Sequence, residues 1–446
     1  MGRLFGTDGV RGVFGRDLTV ELAHGLGRAA VVVLRHQAHG PLTLVVGRDT
    51  RASGLLLEEA LAQGIRSAGA DVILAGVQPT PAVAFLTTDL NAAAGVVISA
   101  SHNPADDNGI KFFGQYGFKL SDALEDAIED ELRRGGNGSK SAGRTLPLPG
   151  GERSYLDHLA SAAEAPLDGM TVVVDCANGA ASEVAPEALR RLGAEVHPIF
   201  DRPDGRNINE GCGALHPEVV ARAVVELGAD AGIAHDGDAD RAMFADAAGN
   251  VIDGDQVLAA SATALLEEGR LEGNTVVTTV MANLGFHRAM DQAGIRVLST
   301  KVGDRYVLEG MLEAGAVLGG EQSGHIIYRQ HATTGDGLLT AVRFLSLAAR
   351  RGCTVADLAA VMRRFPQVVE NVRVAHKEDL ETSEPVKEAV RAAREALDGT
   401  GRVLVRASGT EPIVRVMVEA ETERDARLHA EALVAQVRTA LGEATG

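Results

Sequence analysis

The sequence predicts an α/β fold: three related α/β domains on mixed, mostly parallel sheets, followed by a C-terminal α+β domain. Three observations predict it. A β-rich run, a helical stretch and an Ala-Gly or Leu-Gly step into a second β-rich run occur three times in order, a spacing that marks βαβ units and parallel sheets. With 446 residues, 45% of them hydrophobic, the chain can fill about three to four cores. Beyond Pro366 the repeat stops and a different strand–helix pattern takes over.

The first copy pairs Leu42 to Val46 with Ala68 to Leu74, the second Val172 to Val174 with Leu192 to Val196, and the third Thr275 to Thr279 with Ala293 to Leu298. In the tail, strands are expected over Val368 to Val374, Arg402 to Val405 and Ile413 to Val418, with helices over Glu384 to Leu397 and Glu423 to Leu441. Glycine and serine from Gly135 to Ser141, then Pro147, Pro149, Gly150 and Gly151, read as a surface linker. The expected domains are therefore 1–150, 151–253, 254–366 and 367–446. Gly25 to Ala30 superficially fits a dinucleotide fingerprint, but it continues a helical pattern from Val20 instead of following a strand.

A net charge of −18 argues against nucleic acid, whose binding rests on Lys and Arg neutralising phosphates. Cys176, Cys212 and Cys353 form no Cys-x-x-Cys pair and fit a reducing compartment. Without an apolar signal core or a run long enough to cross a bilayer, a cytoplasmic location and no membrane partner are expected. The dispersed histidines, among them His24, His36 and His39, show no metal spacing.

After the apolar run Ala93 to Ile98 comes a polar, turn-rich loop, residues 99 to 111, read as open and displaying the hydroxyls of Ser99 and Ser101. Pro104 biases Asn103 toward extended backbone, so a helix does not continue. The plain alternative is a hydrophilic turn. A serine hydrolase would need a Gly-x-Ser-x-Gly elbow, absent here, whereas a phosphoryl-carrying serine remains open.

Asp236, Asp238 and Asp240 follow the apolar segment Ala229 to Ala234. Alternate residues of an extended segment point the same way, so the carboxylates are expected to converge. At an effective dielectric of 20 and about 5 Å each like-charge pair costs roughly 3 kcal/mol, which calls for a divalent cation. Arg241 and Ala247 stand where an EF-hand needs Gly and Glu, and oxygen donors without His or Cys suit Mg²⁺ over Zn²⁺. A solvated acidic turn is the alternative.

Arg406, Ser408, Gly409 and Thr410, with Arg415 beyond them, offer forked and hydroxyl donors to a phosphate; a hairpin turn with surface arginines is the competing explanation. Gly319 to His325 combines a carboxylate, an amide, a hydroxyl and an imidazole suited to sugar hydroxyls, or else is a glycine-rich turn. Thr333-Thr334-Gly335-Asp336 reads as a cap before a helix from Gly337 to Ala349, with an anion held at that helix N-terminus as the alternative.

Together these loops resemble the α-D-phosphohexomutase superfamily, essentially from Phe5 to the tail. The motifs that carry the likeness are Phe5 to Gly12, Ile98 to Pro104 and Gly320 to His325; Gln322, where phosphomannomutase and phosphoglucomutase relatives usually have Met, points to the amino-sugar branch. The resemblance implies domains arranged around a central cleft, Ser101 as a phosphoserine, and Mg²⁺ held by Asp236, Asp238, Asp240 and a Ser101 phosphate oxygen. Arg241, Lys301, Glu321 and Ser323 would bind the sugar phosphate, and Arg406, Ser408, Gly409, Thr410 and Arg415 the phosphate that is not reacting. His102, Lys111, Arg11 and His325 would handle protons and charge, with Lys111 the expected base. The implied reaction interconverts glucosamine 6-phosphate and glucosamine 1-phosphate through glucosamine 1,6-bisphosphate, with that or a related hexose bisphosphate as activator, and feeds a cell-wall precursor. A homodimer is compatible with the resemblance. Rival readings are a phosphomannomutase or phosphoglucomutase, a non-catalytic sugar-phosphate sensor, and a Mg²⁺ phosphatase. Asp238→Ala is expected to abolish Mg²⁺-dependent turnover with the fold intact.

Overall fold

The computed structural model describes residues 3–6, 8–35, 42–135, 139, 141–150, 153–408 and 412–442. They fall into two compact units, one of Met1–Met281 with Ile295–Val361 and one of Ala282–Gly294 with Met362–Gly446.

In the first unit the two strands of each sequence repeat lie side by side and parallel: Thr43–Arg48 with Asp71–Val77, Thr171–Asp175 with Glu195–Ile199, and Thr275–Thr279 with Arg296–Thr300. Each set belongs to its own sheet, of six, five and four strands. Alternation along the strands of the first sheet explains its layering. Leu44, Val46, Val96, Ile98 and Phe112 face one core with the helices Val20–Arg35 and Ala52–Ser67, while Val45, Ile73, Val97 and Phe113 face another with the helix Thr80–Asp89. Both faces are apolar because both are covered.

The glycines of the discarded fingerprint serve this packing. A Cβ on Gly27 would lie 2.4 Å from the Leu61 carbonyl oxygen, so the helix Val20–Arg35 approaches its neighbour only because that carbon is missing.

Each sheet also turns one parallel strand into an antiparallel partner. Ala94–Ile98 leads into Asp107–Gly114, Ala231–His235 into Ala242–Asp246, and Leu318–Gly320 into Ile326–Tyr328. The connections, residues 99–106, 236–241 and 321–325, all leave the carboxyl end of a strand that runs parallel to a neighbour. In open α/β sheets that end is where ligands bind.

Two expectations change. The serine loop ends at Asp106, since residues 107–111 already belong to the strand Asp107–Gly114. Part of the expected linker is structure: Thr145–Leu146 pairs parallel to Asp71–Val77, because Asp71 takes both the backbone N–H and the guanidinium of Arg144, at 2.7 and 2.9 Å. Gly136, Asn137, Gly138, Lys140 and Gly151 of that segment, like His36 and His39, lie outside the described residues.

The second unit carries a three-stranded antiparallel sheet in the order Gln367–Arg373, Ile413–Ala420, Gly401–Ala407, with the helices Glu384–Ala396 and Glu423–Leu441. Val372, Val414, Val416, Leu433 and Val437 form its core. Buried Glu419 joins this sheet to the segment 282–294 by accepting from Arg402 Nε at 3.0 Å, Gln367 Nε2 at 2.8 Å and the Leu284 N–H at 3.0 Å. The helix Gly337–Arg351 of the first unit is capped as expected, Asp336 accepting from the Leu339 N–H at 2.8 Å.

Candidate active site

The serine loop and the acidic loop meet. Ser101 has φ +52°, a left-handed conformation unusual for a residue with a Cβ, and its hydroxyl donates to Asp236 Oδ2 at 2.7 Å. His102 Nδ1 lies 3.2 Å from the Ser101 hydroxyl oxygen. Ser99 is not displayed as expected: its hydroxyl donates to Asp49 at 2.6 Å and accepts the Ser101 N–H at 2.9 Å. Ser101 is only 2% exposed. The expected open loop is thus corrected to one packed beneath the 236–241 connection, so closely that a Cβ on Gly237 would stand 2.6 Å from the Ser101 carbonyl oxygen.

Asp236, Asp238 and Asp240 converge, each offering an oxygen within 4.8 Å of the others, and all three are buried. The reason differs from the one expected. The segment is not extended; it turns at Ala239, with φ +55°, and the turn gathers the carboxylates. Asp238 Oδ2 accepts from Thr80 Oγ1 at 2.6 Å and Lys111 Nζ at 3.1 Å, while Oδ1 of Asp238 and of Asp240 are buried with no hydrogen-bond partner among the described residues. Burial, then the charges of Asp240 and Asp238, push the Asp236 carboxyl well above its ordinary range. Against burial, His325 and then Lys111 and Arg241 hold Asp240 below it. Buried carboxylate oxygens facing one another without a donor leave a deficit of positive charge that a hard divalent cation fits.

Lys111 does not suit the role of base. Burial opposes its charge, but Asp238 at 3.1 Å and Asp8 at 3.2 Å outweigh it and raise its pKa above the usual lysine range. An ammonium held in this way donates instead of accepting. His102 is the neutral neighbour of Ser101: burial, then the charges of Arg241 and Arg11, push it down to about 4. His325 is buried, with Nδ1 3.5 Å from Asp240 Oδ2. The Gly335 N–H points at Nε2 from 3.1 Å and places the ring proton on Nδ1, although Asp240 and Asp304, acting against burial, would raise the ring to about 9. A ring nitrogen that accepts an N–H carries no proton, so His325 presents its ring proton from Nδ1 toward Asp240.

Arg11 is paired with Asp8, and Arg241 Nε lies 3.8 Å from Asp240 and 4.0 Å from Asp236. In the third loop Glu321 accepts the Gly303 N–H at 3.1 Å, Gly324 closes the turn at φ +88°, and Ser323 is half-buried. Lys301 is exposed, its ammonium 5.9 Å from the Tyr306 ring centroid. Sequence reading missed the ion-pair chain behind the carboxylates, in which Lys119 bridges Asp8 at 2.7 Å and Asp304 at 2.5 Å. Its members are too far apart in sequence to form a local pattern.

Within the second unit, Arg406 and Arg415 stand directly opposite on paired strands. Like charges so placed destabilise a sheet, and burial followed by the Arg415 charge lowers Arg406 from the usual guanidinium range. Arg415 Nε donates to Asn371 Oδ1 at 2.9 Å, while among the described residues the buried Arg406 Nε meets no acceptor. An anion would satisfy both. Ser408 continues this hairpin, its carbonyl accepting from Lys377 at 2.9 Å; Gly409 and Thr410 lie outside the described residues.

Four family models match the chain in succession: phosphoglucomutase/phosphomannomutase alpha/beta/alpha domains I, II and III over residues 2–138, 153–249 and 253–365, and the C-terminal domain over 370–436. The chain is 55% identical over 428 residues to the phosphoglucosamine mutase of Pelotomaculum thermopropionicum, covering 94% of this chain and 95% of the relative. It is 54% identical over 446 residues to that of Thermobifida fusca, covering 99% of both. Among solved structures, a phosphoglucomutase/phosphomannomutase family protein of Burkholderia thailandensis superposes with TM-score 0.83 at 25% identity, covering 100% of this chain and 99% of that one. An Aspergillus fumigatus N-acetylphosphoglucosamine mutase, in complex with GlcNAc-6P and magnesium, superposes with TM-score 0.66 at 17% identity over 98% and 96% of the two chains.

Proposed function

The chain belongs to the phosphoglucomutase/phosphomannomutase family, and from that premise we propose that Ser101 carries the phosphoryl group by which it isomerises an amino-sugar phosphate. It interconverts glucosamine 6-phosphate and glucosamine 1-phosphate through the 1,6-bisphosphate, the activity of relatives 52–55% identical over nearly the whole chain. The observation that carries the assignment of Ser101 is its hydroxyl, 2.7 Å from a carboxylate of a buried three-aspartate cluster.

In the forward direction the Ser101 Oγ–P bond breaks as a bond forms from the sugar O1 oxygen to phosphorus; the O1 proton leaves to a neutral base, and the serine oxygen takes up a proton. The bisphosphate turns over. Ser101 then attacks the phosphoryl group on O6, its own proton passing to His102, and O6 is protonated as the P–O6 bond breaks. Asp236, Asp238 and Asp240 are the residues that would hold Mg²⁺, which when bound neutralises charge on the transferring phosphoryl group. Lys111, held as an ammonium, stabilises negative charge beside Asp238. Arg241, Glu321 and Ser323 orient the sugar phosphate, with Lys301 reaching it from an exposed position. A hexose 1,6-bisphosphate serves as activator because it phosphorylates an empty Ser101. A homodimer is compatible with this reading, and no helix among the described residues is long and apolar enough to cross a membrane.

Isomerisation measured with competing substrates tests the assignment. kcat/KM for glucosamine 6-phosphate is expected to exceed those for glucose and mannose 6-phosphates by at least about tenfold, the scale on which one polar contact discriminates. Equal values would move the chain to a phosphomannomutase or phosphoglucomutase activity, and stoichiometric release of inorganic phosphate to a phosphatase.

Arg406, Ser408, Gly409, Thr410 and Arg415 take the phosphate that is not reacting. Arg406→Ala should raise KM by about 10- to 100-fold with little change in kcat, since hydrogen bonds to a charged group are worth roughly 1.5–3 kcal/mol and this phosphate is held equally throughout the step. Steady-state kinetics check this, and an unchanged KM removes the hairpin from the site.

A further inference from the structure

Arg51 has no part in the chemistry described above, yet its guanidinium is spent almost entirely on the serine loop. It is completely buried, as is its partner Asp49. Nη2 donates to the carbonyl oxygens of Ser101 at 3.0 Å and Asn103 at 2.8 Å; Nη1 donates to those of Pro104 and Asp107, the latter at 2.9 Å. Nε donates to Asp49 at 2.8 Å. Asp49 reaches the same loop from the other side, accepting the hydroxyl of Ser99, which in turn accepts the Ser101 N–H.

The arrangement is braced from the second sheet's part of the unit. Asn209 Nδ2 donates to the Ser101 and Asn103 carbonyls at 2.9 and 3.1 Å, beside the Arg51 fork. Arg51 is itself anchored there through its neighbours, Thr50 Oγ1 donating to the Asn178 carbonyl at 2.6 Å and the Ala52 N–H to that of Gly205 at 2.9 Å.

A serine does not rest at φ +52° unaided, because the left-handed region crowds its Cβ against the following carbonyl. Two donors on the Ser101 carbonyl and one acceptor on its N–H fix both peptide planes flanking the residue. We infer that Arg51, seconded by Asn209, is a positioning residue that locks Ser101 in this left-handed kink and so aims its oxygen at the phosphoryl group in flight. The inference rests on the assignment of Ser101 as phosphoryl carrier.

The test compares Arg51→Ala, Arg51→Lys, Asn209→Ala and Ser101→Ala in full-length protein, with kcat of the three variants that keep Ser101 expressed per phosphoserine counted by intact mass and that of Ser101→Ala per chain. Arg51→Ala is expected to lose about 100-fold in kcat with KM nearly constant, the cost of a displacement of roughly 1 Å at the reacting atoms. Millimolar guanidinium should restore part of it by refilling the vacated site. Arg51→Lys should retain more activity than Arg51→Ala, and Asn209→Ala should lose about fivefold, the worth of its hydrogen bond to the Ser101 carbonyl. A purely structural role predicts something else: melting temperature and phosphoserine content fall together while turnover per phosphoserine holds, and that result overturns the proposal. Should Arg51→Ala not fold, Arg51→Lys and Asn209→Ala decide alone, unchanged kcat in both counting against it. Activity lost in Ser101→Ala but kept in the Arg51 variants overturns the clamp only; activity kept in Ser101→Ala overturns the assignment on which it rests.

Discussion

Ser101→Ala is expected to lower isomerisation roughly 10⁶-fold, the scale seen when a nucleophile is removed from a constellation that acts as a unit. The fold should persist. The substitution deletes the hydroxyl's two hydrogen bonds, to Asp236 and with His102, each worth about 1 kcal/mol net, and alanine leaves no bulk to accommodate. Intact mass after incubation with glucosamine 1,6-bisphosphate should show an added phosphoryl group on the native chain and none on the variant. Wild-type turnover in the variant would remove Ser101 as carrier, whatever the rest of the loop does.

The second large effect concerns charge. Asp238→Ala is a poorer test than the sequence alone implies, because Asp238 is buried and holds both Thr80 and Lys111, so truncation removes a partner from a buried ammonium, a change that is strongly destabilising in general. Asp238→Asn keeps the shape and an oxygen for those donors while removing one negative charge. We expect Mg²⁺-dependent turnover to fall by at least about 10³-fold, the range lost when one preorganised electrostatic contact goes. In chelator the variant should melt no lower than the native chain, because one source of repulsion with Asp236 and Asp240 has gone. Added Mg²⁺ should raise the melting temperature of the native chain, binding at 100 times its Kd being worth about 2.7 kcal/mol, and should leave the variant unmoved. Equal stabilisation of both by Mg²⁺ would place the ion elsewhere.

What could be read from the sequence follows from distance along the chain. Asp236, Asp238 and Asp240 were legible because they are near neighbours, although the turn at Ala239 that gathers them was not. The final helix spans Glu423–Leu441 as expected, since its apolar stripe is a local pattern. The state of Lys111 was not legible: its charge is set by Asp8 and Asp238, which arrive from the turn before Val10–Val13 and from a connection of another sheet. Lys119 bridges partners 111 and 185 residues away, and no periodicity announces such a contact. Arg51 illustrates the same limit, for an arginine in a turn looks solvated until the carbonyls it gathers are in place.

The three hairpin connections at residues 99–106, 236–241 and 321–325 occupy equivalent sockets in three sheets. One socket holds the serine proposed as nucleophile, one the carboxylates and one the groups proposed to recognise the sugar, so the proposed division of labour is modular. Recognition can therefore be retuned by grafting a different third connection onto Leu318–Gly320 and Ile326–Tyr328 while the transfer machinery of the other two stays as it is. A scaffold that repeats its mouthpiece can diversify its diet without relearning how to chew.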